Sequence, residues 1–369
     1  MNPPASIGMP LAQVDTPALI LDLDVFGRNL GLMADAVKGR GVRLRPHAKS
    51  HKSADIAKLQ IAAGAVGVCC QKVSEAEALA DGGVADILVC NEMVGEAKLA
   101  RLAALAKRAR ITVCADNFSN VAALDAAAAA AGVRLEVLIE VDVGAGRCGI
   151  APGEPALVLA TAVAAAPNLR FAGVHAYQGS AQHVRGVEAR RAEIAAATEK
   201  ARLSRDLIVG AGIACDTVTG AGTGSFIFER DSGVYTELQP GSYVFMDADY
   251  QQNAWDGFPA FGQSLYILAT VMSTPSKERV VVDAGLKASS IDSGNPRVAG
   301  RPGLDYIKAS DEHGVIAVAA GTAAPALGEK LLLVPGHCDP TVNMHDWFVC
   351  VRSGVVEALW PVSARGMMW

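Results

Sequence analysis

The stretch Val42-Arg43-Leu44-Arg45-Pro46-His47-Ala48-Lys49-Ser50-His51-Lys52 decides how this chain is read. Residues 42–46 form a short β-prone run, and at its C-terminal end a lysine stands between two histidines. Seven more such runs come after it, at 66–69, 86–89, 111–114, 135–141, 171–175, 215–219 and 236–239. Between them lie alanine-rich amphipathic stretches at 54–63, 73–81, 96–106, 120–131, 156–165 and 187–203. Ser53 stands where the first of these needs an N-cap, and Asn117 or Ser119 where the fourth does. Eight strands separated by helices predict an α/β chain with a parallel (β/α)8 TIM barrel over 25–260, a doubly wound open sheet being the alternative.

After residue 260 the texture changes. Runs at 264–273, 278–283, 314–319 and 331–335 are strand-like, and the turns between them are rich in Gly, Pro and Asp. An antiparallel β-domain is expected there. The early run at 18–23 precedes the first barrel helix and is available to pair with it, so the second domain is drawn as 1–24 plus 261–369.

Of the 369 residues, 51% are apolar and 19% charged, enough for a large core and unlike a disordered chain. Lys+Arg 33 against Asp+Glu 38 gives a net charge of −5 with no long basic run, so nucleic acid is not an expected partner. Residues 1–17 lack the basic start and apolar run of a signal peptide, and no stretch is long and apolar enough for a bilayer, so no membrane partner is expected. The eight cysteines are scattered, with Cys69, Cys90 and Cys114 inside apolar runs. They read as buried free thiols of a cytoplasmic protein.

Catalytic groups of barrels sit at the C-terminal ends of strands, which gives Lys49 more weight than a solvated basic loop would have. A lysine partly desolvated in a barrel mouth can form a Schiff base. Thr219-Gly220-Ala221-Gly222-Thr223-Gly224-Ser225 follows the seventh run, where barrels often hold phosphate; its small residues bare backbone N–H groups and its hydroxyls add donors. A barrel lysine with a late-strand phosphate cup is the arrangement expected for pyridoxal 5'-phosphate (PLP). In His337-Cys338-Asp339, an extended segment would put His337 and Asp339 on one face with Cys338 turned away. Such an N/O pair suits Mn2+ first, with Mg2+ or Zn2+ as alternatives, and leaves positions open for substrate.

Together these motifs carry a resemblance. PHAKSHK (46–52), GAGTGS (220–225), LQPGSY (238–243) and HCDPTVN (337–343) are similar to the alanine-racemase-like, fold-type III PLP enzymes, and most like the D-threonine aldolase and D-serine dehydratase family. The resemblance runs from TPALILDLD (16–24) to HCDPTVN. It implies that Lys49 holds PLP and that Thr223, Gly224 and Ser225 bind its phosphate, helped by the backbone of Gly241 and Ser242, with Tyr243 beside them. It implies Arg147 facing the phenolic oxygen and Tyr177 packing beside the cofactor. Gln239 replaces the arginine that faces the pyridine nitrogen in alanine racemases, and it offers no anion to hold a proton there. His183 is the implied base for a substrate β-hydroxyl. Dehydratases of the family carry His-x-Cys where this chain has His337 and Asp339, so Asp339 favours an aldolase acting on D-β-hydroxy-α-amino acids. The implied assembly is a homodimer. A D-3-hydroxyaspartate aldolase, a dehydratase and a non-catalytic PLP carrier are the rivals. Asp311, His313, His345 and Asp346 are open between a site role and plain structure, and His175 reads as a core or supporting residue.

Overall fold

The computed structural model describes residues 2–255 and 257–369. The chain divides into two compact units: 1–32, 50–53 and 242–366 form one, and 33–49, 54–241 and 367–369 the other.

In chain order, strand β1 (Ala18–Asp22) and helix α1 (Leu23–Val37) come first. The barrel unit then alternates β2 (Arg43–Leu44), α2 (Ala54–Ala62), β3 (Val68–Cys70), α3 (Val73–Asp81), β4 (Asp86–Glu92) and α4 (Glu96–Leu105). It continues with β5 (Arg110–Ala115), α5 (Phe118–Ala131), β6 (Leu135–Glu140), α6 (Glu154–Ala165), β7 (Leu169–His175), α7 (Val187–Gly210), β8 (Thr217–Gly220), α8 (Phe226–Arg230) and β9 (Glu237–Leu238). All eight expected barrel strands are present, in the order β2-β9-β8-β7-β6-β5-β4-β3, every pair parallel. The ring is closed between β2 and β3, where Val66 N–H donates to Leu44 O and Cys69 N–H to Pro46 O, each at 2.9 Å. The parallel barrel therefore replaces the open-sheet alternative.

Local chemistry explains the helix ends. Asn117 caps α5 by accepting the Ser119 N–H at 2.8 Å, and Gly132 ends it in the left-handed conformation, φ 66°. The expected Ser53 cap is not made: its hydroxyl is buried without a hydrogen-bond partner. Inside the barrel, Cys69, Leu88, Cys90, Cys114 and Leu138 form a buried cluster. Near the N-terminal strand ends, Arg45 pairs with Glu237 at 2.9 Å and Asp86 at 2.7 Å, a base of ion pairs that carries no reaction chemistry.

The other unit adds β10 (Leu265–Ser276), β11 (Arg279–Val282), β12 (Arg297–Val298), β13 (Leu304–Ala309), β14 (Gly314–Val318), β15 (Lys330–Val334), α9 (Cys338–Val342), β16 (Trp347–Arg352) and β17 (Val355–Pro361). Its sheet runs β13-β14-β11-β10-β1-β16-β17, with β15 also on β10 and β12 on β15. β1 does pair here, antiparallel to β10 and parallel to β16, so one parallel pair sits in an otherwise antiparallel sheet. Ala18, Ile20, Leu268, Val349, Val351 and Val356 pack as its core.

Candidate active site

In the barrel unit, Lys49 lies in a 3-10 turn (Ala48–Ser50) just beyond β2. His47, buried, accepts the Lys49 N–H at Nδ1 (3.2 Å), so the histidine before the lysine shapes the turn that carries it.

The loop after β8 holds Thr223, Gly224 and Ser225, all buried. Gly224 N–H donates to Gln182 Oε1 at 2.8 Å, and Gln182 Nε2 donates to Ser225 Oγ at 2.8 Å. Ser225 Oγ in turn donates to Glu229 Oε1 at 2.8 Å. A carboxamide oxygen thus sits where the loop offers N–H to an acceptor, which fits the phosphate expected there. A Cβ on Gly222 would come within 2.4 Å of that same oxygen. Burial pushes the Glu229 carboxyl up to about 7.

Arg147 stands on a turn built by its own motif. Asp142 Oδ1 accepts N–H from Gly144 (2.9 Å) and Gly146 (3.1 Å), and this folds the chain back so that Arg147 Nη2 lies 3.6 Å from Glu140 Oε1. Its guanidinium sits 5.7 Å from the Tyr177 ring centroid, which brings these two predicted residues together. Burial would lower the Arg147 pKa, but Glu140 raises it overall.

Gln239 is buried and held at both ends. Its Nε2 donates to Thr219 Oγ1 at 2.8 Å, and Thr219 Oγ1 donates to Glu237 Oε1 at 3.2 Å. This orients Oε1 toward His175 Nε2, 3.3 Å away. Since Oε1 only accepts, Nε2 carries a proton. Burial disfavours charge on His175, yet Glu140 and Cys90 outweigh it and push the group up to about 10. His183 ends the 3-10 turn Ser180–His183 and is exposed; Tyr177 is half-buried; Gly241 is buried directly after Pro240.

In the β-unit, His337 has extended dihedrals (φ −140°, ψ 126°), but Cys338 opens α9 and Asp339 lies in its first turn. The fully extended His-Cys-Asp segment is corrected accordingly; Cys338 is nonetheless fully buried. Asp247 Oδ2, itself buried, accepts the Cys338 N–H at 2.9 Å and pins the turn. His337 Nδ1 is 2.7 Å from Asp292 Oδ2, and Asp339 Oδ1 accepts from Ser242 Oγ at 3.4 Å. Burial would lower the His337 pKa, while Asp339 and Asp292 raise it overall. An imidazole and a carboxylate two positions apart, each braced by a second polar group, fit a divalent cation. Tyr243 is buried against Phe261, ring centroids 5.6 Å apart.

Of the residues left open by sequence, Asp311 and His313 are exposed and Glu312 pairs with Lys287. His345 is structural: Nε2 meets Ala288 O at 2.8 Å, and burial lowers its pKa. Sequence reading missed Gln182, Asp247 and Asp292, which meet their motifs only through the fold, and Glu229, which lies one helical turn beyond Ser225. For Glu140 a signal existed, the strand-end position two residues before Asp142.

Two family models match: "Alanine racemase, N-terminal domain" over residues 21–249 and "Putative serine dehydratase domain" over 264–351. A D-threonine aldolase from an Arthrobacter species is 52% identical over 366 residues, 99% of this chain and 97% of that one. A 3-hydroxy-D-aspartate aldolase from Paracoccus denitrificans (strain Pd 1222) is 50% identical, covering 98% of this chain and 95% of that protein. The crystal structure of D-threonine aldolase from Filomicrobium marinum superposes with a TM-score of 0.98 at 52% identity, covering 100% of both chains. With the barrel and the β-unit both matched along their length, the chain belongs to the fold-type III PLP enzymes and, within them, to the D-threonine aldolase family of lyases.

Proposed function

We propose that this chain is a PLP-dependent, divalent-metal-assisted aldolase that cleaves D-β-hydroxy-α-amino acids between Cα and Cβ. D-Threonine would give glycine and acetaldehyde. The observation that carries this reading is the imidazole–carboxylate pair His337 and Asp339, braced by Asp292 and Ser242. When bound, PLP supplies an electron sink for the bond-breaking pair, and the divalent ion supplies a Lewis acid for the β-hydroxyl.

The chain's own residues do the rest. Lys49 anchors the cofactor. Thr223, Gly224 and Ser225 hold its phosphate with the backbone of Gly241 and Ser242, and Tyr243 closes that side. Arg147, oriented by Glu140, would take the phenolic oxygen, with Tyr177 beside it. Gln239, held by Thr219 and His175, would be the residue toward the pyridine nitrogen and would offer no anion to hold a proton there. His183 takes the proton from the β-hydroxyl; its exposure lets it pass that proton to water. Mn2+ is the ion proposed for His337 and Asp339. The proposed domains are a barrel over 25–260 that carries the cofactor residues and a β-domain of 1–24 plus 261–369 that carries the metal pair, and a cytoplasmic homodimer is the proposed assembly.

A second substrate, D-3-hydroxyaspartate, giving glycine and glyoxylate, is supported by the 50% identical aldolase of that specificity. The deciding experiment incubates holoenzyme and Mn2+ with each substrate and assays glycine, aldehyde, 2-oxo acid and ammonia. Glycine with an aldehyde is expected. A 2-oxo acid with ammonia would make the enzyme a dehydratase. In Lys49→Ala, the visible absorption of lysine-bound cofactor should vanish; its survival would move the anchor elsewhere.

A further inference from the structure

The barrel interior holds a second set of metal-ligating atoms, apart from His337 and Asp339. Cys114 Sγ, Glu140 and His175 each offer one atom, all within 4.8 Å of one another, and all three residues are buried. They come from the neighbouring strands β5, β6 and β7. His175 Nδ1 and Glu140 Oε2 are 3.4 Å apart, yet both are buried with no hydrogen-bond partner. That spacing suits a shared ion: metal bonds of about 2.0–2.1 Å in a tetrahedron put an N and an O ligand about 3.3 Å apart.

The histidine is also correctly prepared. Gln239 Oε1 takes the Nε2 proton, which leaves Nδ1 as the ring's coordinating nitrogen when the group is neutral. The amide cannot turn over without losing its bond to Thr219, and Thr219 is tied to Glu237, which Arg45 holds. A neighbouring trio, His47, Cys69 and Cys90, has more sulfur. Its imidazole is committed at both nitrogens: Nδ1 accepts the Lys49 N–H, and Nε2 lies 3.0 Å from Gln71 Nε2 and 3.3 Å from Cys90 Sγ.

We propose that Cys114, Glu140 and His175 form a cation site for zinc or a similar thiophilic divalent ion, tying β5, β6 and β7 together inside the barrel. A thiolate and a carboxylate balance the ion's two charges, and the imidazole adds none. Glu92 stands beside Glu140 but lies outside the trio whose ligating atoms are within 4.8 Å of one another. In the metal-free barrel, protons occupy the Cys114 thiol and His175 Nδ1, while His175 holds the Glu140 carboxyl ionised against its burial. Binding zinc releases the thiol proton of Cys114 and the Nδ1 proton of His175, and oxidises nothing.

The test uses holoenzyme dialysed against EDTA and reloaded with zinc, read by metal content and X-ray absorption at the zinc edge. Unmodified holoenzyme with two equivalents should show a sulfur neighbour at about 2.3 Å. A shell of nitrogen and oxygen alone overturns the proposal, whatever the variants do. In the His337→Ala/Asp339→Ala background one zinc per chain should remain, still with sulfur. Adding Cys114→Ser should remove that sulfur, and adding Cys90→Ser or Cys148→Ser should not. Loss of the sulfur with Cys90→Ser or Cys148→Ser instead places the ion elsewhere and also overturns it.

Discussion

Glu229 is a fully buried carboxyl whose one firm contact is the hydroxyl of Ser225. Its other oxygen has no hydrogen-bond partner, and burial raises its pKa to about 7 from an ordinary 4.5. A raised acid favours the folded state while protonated, so its contribution is complete below about pH 4.5 and is lost as pH rises toward 7. The loss approaches about 3 kcal/mol. Glu229→Gln keeps the acceptor for Ser225 and cannot ionise. The Tm of this variant minus that of the unmodified protein should grow between pH 5 and 8; a difference independent of pH would show that the carboxyl titrates normally. Residues of this kind are not legible in sequence. Gln182 is remote from the glycine-rich loop in sequence and only the fold brings it onto the Gly224 N–H, while Glu229 meets Ser225 locally, one helical turn on, with nothing in the sequence to mark its burial. Lys49, Arg147 and Asp339, by contrast, stand out because a reactive side chain follows a β-prone run or a glycine turn.

β7 and β8 approach each other closely at Gly173, where φ is +135° and an added Cβ would lie 2.0 Å from Thr217 O. That oxygen is backbone and belongs to a paired strand, so it cannot swing away. Gly173→Ala should therefore lose several kcal/mol and lower Tm by ten degrees or more, roughly, if the variant folds at all. Gly31, in α1, is the contrast: nothing lies within 4 Å of its Cβ position and no positive φ is needed. Gly31→Ala should raise stability by up to about 1 kcal/mol, checked in the same melting series. The barrel elements were readable because each strand is a short apolar run and each helix a separate amphipathic stretch. Every expected barrel strand overlaps its observed counterpart, with ends displaced by at most three residues. The β-unit was less readable. β12 and β13 are short or half exposed, β16 and β17 follow a metal motif that draws the eye, and α9 begins inside what looked extended. Helix α7 runs on to Gly210, past the expected end at 203, because nothing between them breaks a helix.

At the scale of the whole molecule, Lys49, Arg147 and the 223–225 loop belong to the barrel unit, and His337 and Asp339 to the β-unit. Under the proposed function, the lysine anchor and the metal pair thus lie in different units, and removing the metal should leave the cofactor on Lys49. Dialysis of the holoenzyme against EDTA should abolish turnover and leave the visible absorption of lysine-bound cofactor, with Mn2+ restoring activity. Loss of absorption together with the metal would contradict that separation. Among the described residues, no helix is long and apolar enough to cross a membrane. β1 has a consequence for how the chain is made. Leu19 lies in register with Phe348, so β1 joins β16 only after β2 to β15, which lie between them in the chain, have been synthesised. Through that interval the apolar Ala18–Leu21 segment has no β16 to lie against while the barrel is being synthesised. It is then that this chain is most open to association with its neighbours, and growth temperature and chaperone supply should govern yield more than the finished protein's stability does.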